Sequence, residues 1–197
     1  MTVKIIDVAC CAEKSDKDTF NNIKLRCDLT FQNLVFKNFI NLNAKEIELV
    51  RIWRNHDNIR KWMINDHIIS KAEHKRFINN LKNDFKNNYW LVNKDNVCIG
   101  VINLTKIDYN CKNTYSGYYP NPESKSISNS ITLIKMIIHI AFNIFGLSTL
   151  RGETLENNNK VLYLEKKFGF TEESRIKDFT YRNGKWIDIL IMQLENR

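Results

Sequence analysis

Two short polar groupings in this 197-residue chain carry residue types and spacing suited to chemistry. Lys125-Ser126-Ile127-Ser128-Asn129-Ser130 stands directly before a long apolar run. The free backbone N–H groups and positive dipole end of a helix that starts there make a seat for an anion such as a pyrophosphate. Asn157 and Asn158 stand where a second, shorter helical pattern begins, and their side chains are suited to its N-cap. Metal chemistry is not expected. His56, His67, His74 and His139 show no ligand spacing with Cys10, Cys11, Cys27, Cys98 and Cys111. Those five cysteines are odd in number and without CxxC spacing, which points to a reduced, cytoplasmic protein.

The elements that must position these groups follow from periodicity and capping. Leu34–Ile40 reads as a first strand. Asn43, with Glu46 three residues on, caps a helix bearing Ile47, Val50 and Trp53 or Arg54 at helical spacing. A short helical piece covers Asp57–Met63. Ser70 and Glu73 form a capping box for a helix reaching about Asp84, with Phe77, Ile78, Leu81 and Phe85 inward. Tyr89–Val92 and Val97–Thr105 flank a four-residue turn, Asn93-Lys94-Asp95-Asn96. Thr114–Tyr119 is a strand stopped by Pro120 and Pro122. An apolar helix over Ile131–Phe145 ends at Gly146, and Thr149–Thr154 is a short strand. Val161, Leu164 and Phe168 share a helical face, and Gly169 suits a left-handed cap. Arg175–Tyr181 and Lys185–Leu194 straddle the hairpin signal Asn183-Gly184. The order is β-α-α-β-β-β-α-β-α-β-β. Residues 1–33 lack periodicity and read as an extension of unknown role, with the globular domain over 34–197.

Bulk properties narrow the classes. A hydrophobic content of 43% supplies a real core. The apolar run Ile131–Phe145 is interrupted by Lys135, His139 and Asn143, so it reads as a buried helix, not a membrane span. The N-terminus lacks a positive n-region and a small-x-small cleavage site, so no signal peptide is expected. The net charge of +8 is scattered along the chain. It reads first as a solvated surface, also suits polyanionic small ligands such as coenzyme A or a nucleotide sugar, and ranks a nucleic-acid partner last.

The block LSTLRGETLENNNKVLYLEKKFGF, Leu147 to Phe170, resembles the last motif of the GNAT acetyltransferases, N-x-x-A-x-x-x-Y-x-x-x-G-F. Asn158, Gly169 and Phe170 match. Val161 replaces the usual Ala, and Glu165 the usual Tyr, which is the family's general acid. The resemblance implies an α+β fold whose mostly antiparallel sheet is flanked by helices, with splayed central strands holding acetyl-CoA. It implies that Gly117, Tyr118 and Tyr119 pair through their backbone with the pantetheine arm. Lys125–Ser130, here without glycine, would hold the pyrophosphate, and Asn157 and Asn158 would lie beside the thiol.

Trp53-Arg54-Asn55-His56, Trp62-Met63, Ser70 to His74, Gly100 to Ile107 and Gly117 to Pro122 resemble one GNAT branch. It comprises the N-acetyltransferases of pseudaminic acid biosynthesis, which acetylate the 4-amino group of UDP-4-amino-4,6-dideoxy-N-acetyl-altrosamine. The similarity runs from about Val35 to Leu194. Carried over by position, Arg54, His74, Thr105 and Lys106 face the nucleotide sugar, where charge-assisted donors suit a diphosphate. Glu156, ahead of Glu153, is the candidate for a water-mediated base. Glu165 serves as the acid if burial raises its pKa, while Tyr163, about 200° around the helix, faces elsewhere. The partner is then a small-molecule substrate, no metal is needed, and the chain is a monomer or homodimer. Two rivals remain: a protein N-terminal or ribosomal-protein acetyltransferase, and a non-catalytic acyl-CoA-binding module.

Overall fold

The computed structural model describes residues 4–5, 26–124 and 126–196. The expectations for Cys10, Cys11 and Lys125, and for most of the 1–33 extension, lie outside them. Among the described residues one sheet of nine strands runs in the order β1-β2-β3-β4-β5-β6-β7-β9-β8. Its strands are β1 (Lys4–Ile5), β2 (Leu29–Phe31), β3 (Leu34–Asn38), β4 (Asn88–Lys94), β5 (Val97–Asp108), β6 (Asn113–Pro120), β7 (Thr149–Leu155), β8 (Thr171–Arg182) and β9 (Lys185–Glu195). The helices are α1 (Ala44–Asn55), α2 (Asp57–Arg60), α3 (Lys71–Leu81), α4 (Ile127–His139, continued by a π turn over Ile140–Ile144) and α5 (Asn159–Lys167). Every strand pair is antiparallel except β6–β7. This is the expected α+β architecture, with helices on both faces.

Alternation along the central strands divides the core. Trp90, Ile102, Leu104 and Leu150 face α4 and α5, meeting Leu133, Ile134, Ile137 and Leu162. Leu91 and Val101 face the other way, meeting Val50 and Trp53 of α1 and Ile78 and Leu81 of α3. Gly100 lets α4 lie this close: a Cβ there would stand 2.5 Å from Tyr119 O and 2.6 Å from Leu133 Cδ1. α4 with its π turn is long and apolar enough to cross a membrane. Its Leu133, Ile134, Met136, Ile137, Ile140 and Ala141 are nevertheless buried, as in a core helix.

The caps are largely local decisions. Asn43 accepts from Glu46 N at 3.0 Å and Glu46 returns a bond to Asn43 N at 2.8 Å, which starts α1. Ser70 Oγ accepts from Glu73 N and starts α3. α5 ends in the Schellman pattern, with Phe170 N on Glu165 O and Gly169 N on Lys166 O around a Gly169 φ of +87°.

Several boundaries differ from expectation. β2 pairs with β3 and buries Leu29, so the sheet reaches beyond Leu34 into the supposed extension. β3 stops at Asn38, whose side chain accepts from Ile40 N and caps a 3₁₀ turn. α3 stops at Leu81 and leaves Phe85 exposed. The β4–β5 turn is the two residues Asp95-Asn96, both left-handed (φ 50° and 65°), because that twist matches the flanking strands. α4 starts at Ile127, so Ser128, Asn129 and Ser130 lie in its first turn.

Candidate active site

β6 and β7 pair in parallel from Asn113–Thr149 to Ser116–Gly152 and then part. Beyond that point β6 keeps its bonds to β5 and β7 its bonds to β9. The edges Gly117–Pro120 and Glu153–Leu155 therefore face each other across a gap open to a ligand backbone. A cleft of ≈ 1360 Å³ runs through it, from Ser126 and Ser130 at the start of α4, past Tyr118 and Glu165, to Arg54 and His74. That exceeds the about 300–1,000 Å³ of a usual small-molecule site and leaves room for two ligands end to end.

At one end lies the first turn of α4. Ser126 occupies the N-cap without making a side-chain cap bond. Its hydroxyl is 2.6 Å from that of Ser128, and Asn129 Nδ2 donates to Ser124 Oγ at 3.0 Å. Ser124, Ser126, Ile127 and Ser130 line the cleft, whereas the Ser128 and Asn129 side chains do not. Small hydroxyl residues thus leave the helix terminus open, as glycines would. Asn157 and Asn158 also line the cleft. The expected capping by Asn158 does not occur: it holds the N-cap position of α5 but makes no side-chain cap bond.

In the middle, Glu165 is 5% exposed. Thr154 Oγ1 lies 3.2 Å from both its carboxylate oxygens. Burial raises its pKa to about 7, against the lowering effect of Thr154. Gly152 makes the space, since a Cβ there would stand 2.8 Å from Glu165 Oε1. Tyr163 is exposed, and it also borders the cleft. Tyr118 Oη is buried without a hydrogen-bond partner.

The other end is built by α1 and α3. Arg54 Nη2 donates to Asn65 O, while Nη1 is buried and unpartnered. Burial pulls the guanidinium below its usual range, and Tyr119 and Asp66 partly offset this. His74 is 5% exposed, packs on Phe77 and leaves Nδ1 unpartnered. Burial, and then Arg51, lower its pKa, which favours the neutral ring. Thr105 lines the cleft beside them.

Two expectations are not met. Lys106 is displaced by a bulge after Thr105, where it takes φ +52°. Its Nζ lies 2.9 Å from Glu153 Oε1 and 4.2 Å from the centre of the Tyr115 ring, outside the cleft lining. Glu156 is also outside the cleft, where its carboxylate accepts from Arg175 Nη1 and Asp188 N, both at 3.2 Å. Glu153, the other carboxylate considered, does line the cleft. Among the described residues no cluster of three His, Cys, Asp or Glu is arranged for a metal.

Some contributors had no sequence signal. Arg182 donates to Lys61 O, Met63 O and Ile64 O at 2.7–2.9 Å, tying the tip of the β8–β9 hairpin to the loop that walls the cleft. Asn55 brackets Ile69 with two bonds of 2.8 Å. Gly152 and Thr154 sit in a strand whose alternation announces burial but no contact with Glu165.

Comparisons with known proteins agree with this geometry. The family model described as Acetyltransferase (GNAT) domain matches residues 41–191. The Acetyltransferase PseH of Campylobacter jejuni serotype O:2 is 38% identical over 145 residues, covering 74% of this chain and 89% of that protein. The crystal structure of Campylobacter jejuni N-acetyltransferase PseH in complex with acetyl coenzyme A is 30% identical and superposes with a TM-score of 0.64, over 83% of this chain and 99% of that one. Spermidine N-acetyltransferase from Vibrio cholerae, 20% identical with a TM-score of 0.76 over 84% of this chain and 96% of its own, shares the fold. A splayed parallel strand pair, an open helix terminus beside it and a family match across most of the chain lead to one conclusion: the chain belongs to the GNAT acetyltransferase family.

Proposed function

We propose that the chain is an acetyl-CoA-dependent N-acetyltransferase acting on the 4-amino group of a UDP-linked amino-deoxy sugar. The observation that carries this is the continuous cleft, open to a phosphate-bearing ligand at the start of α4 and lined by Arg54 and His74 at its far end. Arg54 Nη1 and His74 Nδ1 are buried polar atoms without partners. Such groups are costly unless a ligand satisfies them, and a guanidinium suits a diphosphate. The similarity to PseH supports the same reading. On this reading the product serves nonulosonic acid synthesis for surface or flagellar glycosylation, and the enzyme works in the cytoplasm.

Acetyl-CoA would lay its pyrophosphate on the α4 terminus beside Ser126 and Ser130. Its pantetheine arm would run along the unpaired edge of Gly117–Tyr119, and its thioester would lie at the gap. The sugar nitrogen attacks the thioester carbonyl carbon, the new C–N bond forms, and the C–S bond breaks with its electron pair going to sulfur. Glu153 takes the proton that the nitrogen loses, through water. Glu165, partly neutral at pH 7 because it is buried, supplies the proton that the thiolate gains.

The test is coenzyme A release from acetyl-CoA with the UDP-4-amino sugar, set beside spermidine and an N-terminal peptide as acceptors. Release confined to the nucleotide sugar is expected. Release with the peptide or spermidine but not the sugar would overturn the acceptor. Release with none of them would return the chain to a binding role.

A further inference from the structure

Asn103 sits in the middle of β5, paired to Tyr89 on one side and to Gly117 on the other. Its chain neighbours Ile102 and Leu104 are fully buried. An asparagine is a poor residue for such a central strand, where β-branched and aromatic side chains are favoured. By alternation its side chain shares a face with Val101, the face that α1 and α3 cover. Those two helices carry Arg54 and His74. Asn103 is half-buried there and lines the cleft.

Its carboxamide lies where the strands part. A Cβ on Gly117 would stand 2.9 Å from Asn103 Nδ2 and 3.2 Å from Oδ1, so the side chain folds across the glycine. Gly117 is the first β6 residue beyond the last pair with β7, Ser116–Gly152. Among the described residues neither Oδ1 nor Nδ2 of Asn103 has a hydrogen-bond partner. Glu153 stands across the gap. Its neighbours Gly152 and Thr154 face Glu165, so Glu153 points to the α1–α3 face, where it lines the cleft. The two lips of the gap thus offer one neutral acceptor and one carboxylate. A neutral primary amine has two N–H bonds and one lone pair. An acceptor on each side fixes both N–H bonds and leaves the lone pair aimed between them, at a thioester held in the gap.

We propose that Asn103 Oδ1 accepts one N–H of the acceptor amine and so orients its lone pair toward the thioester carbonyl, opposite the water-mediated contact to Glu153. Asn103 keeps its own protons throughout, and the proton that the nitrogen loses leaves on the Glu153 side. A carboxamide suits this place because it is neutral. A carboxylate there would hold the amine as an ammonium, which has no lone pair to attack with. The proposal rests on the acetyltransferase reading above and adds how the amine is held; its test separates the two.

The first arm needs no turnover. The UDP-linked 4-amino sugar and its 4-deoxy counterpart are titrated onto the full chain with coenzyme A bound, in the wild-type protein and in Asn103→Leu. The wild-type protein should bind the amino sugar about tenfold more tightly, the worth of one hydrogen bond, and Asn103→Leu should bind the two alike. Equal affinities in the wild type, or a preference that survives Asn103→Leu, would overturn the Asn103 contact alone. Failure of the wild type to bind either sugar would overturn the acceptor reading and the proposal with it. The second arm measures turnover. Asn103→Leu should lower kcat about 100-fold with acetyl-CoA affinity unchanged, the cost of a misplaced reacting group. Asn103→Asp, nearly the same in shape, should move the acid limb of the kcat profile to higher pH, because a carboxylate stabilises the ammonium. A merely structural role would not move that limb. An unmoved limb, or an unchanged kcat in Asn103→Leu, would contradict the proposal.

Discussion

Glu165 stands where the GNAT motif usually has Tyr, and the structure gives this difference a physical consequence. Its carboxyl is buried beside Thr154 in space left by Gly152. Its pKa is raised from 4.5 to about 7 by burial. A carboxyl with a raised folded-state pKa binds more protons when folded than unfolded between those values. Stability is therefore full below about pH 4.5 and falls as pH rises to about 7. The loss is about 3 kcal/mol for a shift of that size. Chemical denaturation at pH 5 and pH 8 should show this fall, and Glu165→Gln should remove that part of it. Catalysis should track the same group: kcat should decline above about pH 7 in the wild-type enzyme, and Glu165→Gln should lack that limb. Gly152→Ala drives a methyl to 2.8 Å from Glu165 Oε1. The carboxyl end must move, so this variant should lose most of kcat, with little change in stability and with acetyl-CoA binding intact.

At the level of elements, the cleft is a joint product of strand splay and tethers. The loop after α2 walls the cleft, and it is held by Arg182 from a hairpin distant in sequence. Arg182→Ala should raise the acceptor KM by about tenfold, the equivalent of about 1.4 kcal/mol, and leave acetyl-CoA affinity in place. Equal losses at both ends of the cleft would contradict that division. The α1 cap is a separate, local matter, and Asn43→Ala should cost about 1 kcal/mol in denaturant titrations. These cases also show what the sequence can convey. Asn43, Ser70, Gly169 and Asn183-Gly184 act on backbone groups a few residues away, so their spacing carries the whole signal. Asn158 has the right type and position for a cap, yet its side chain does not cap α5, and no local rule distinguishes those outcomes. Arg182 and Gly152 act on residues remote in the chain, and nothing in their neighbourhood announces it. Lys106 fails for a related reason: the bulge after Thr105 turns its side chain toward Glu153, and strand periodicity does not locate bulges.

The whole molecule combines a basic surface with one long cleft. A net charge of +8 favours the approach of two polyanionic ligands. Acetyl-CoA at 100 times its Kd should add about 2.7 kcal/mol of stability, visible as a rise in Tm. The central claim is that one cleft brings an acetyl thioester and a nucleotide-sugar amine together. Its most direct test compares kcat/KM for the UDP-4-amino sugar and for the same sugar without UDP, in the wild-type enzyme and in Arg54→Ala. Acetylation at the 4-amino nitrogen is confirmed by NMR of the product. The account predicts a strong wild-type preference for the UDP-linked sugar that Arg54→Ala largely abolishes, with acetyl-CoA binding intact. Equal wild-type rates on both sugars, or a preference that survives Arg54→Ala, would contradict it.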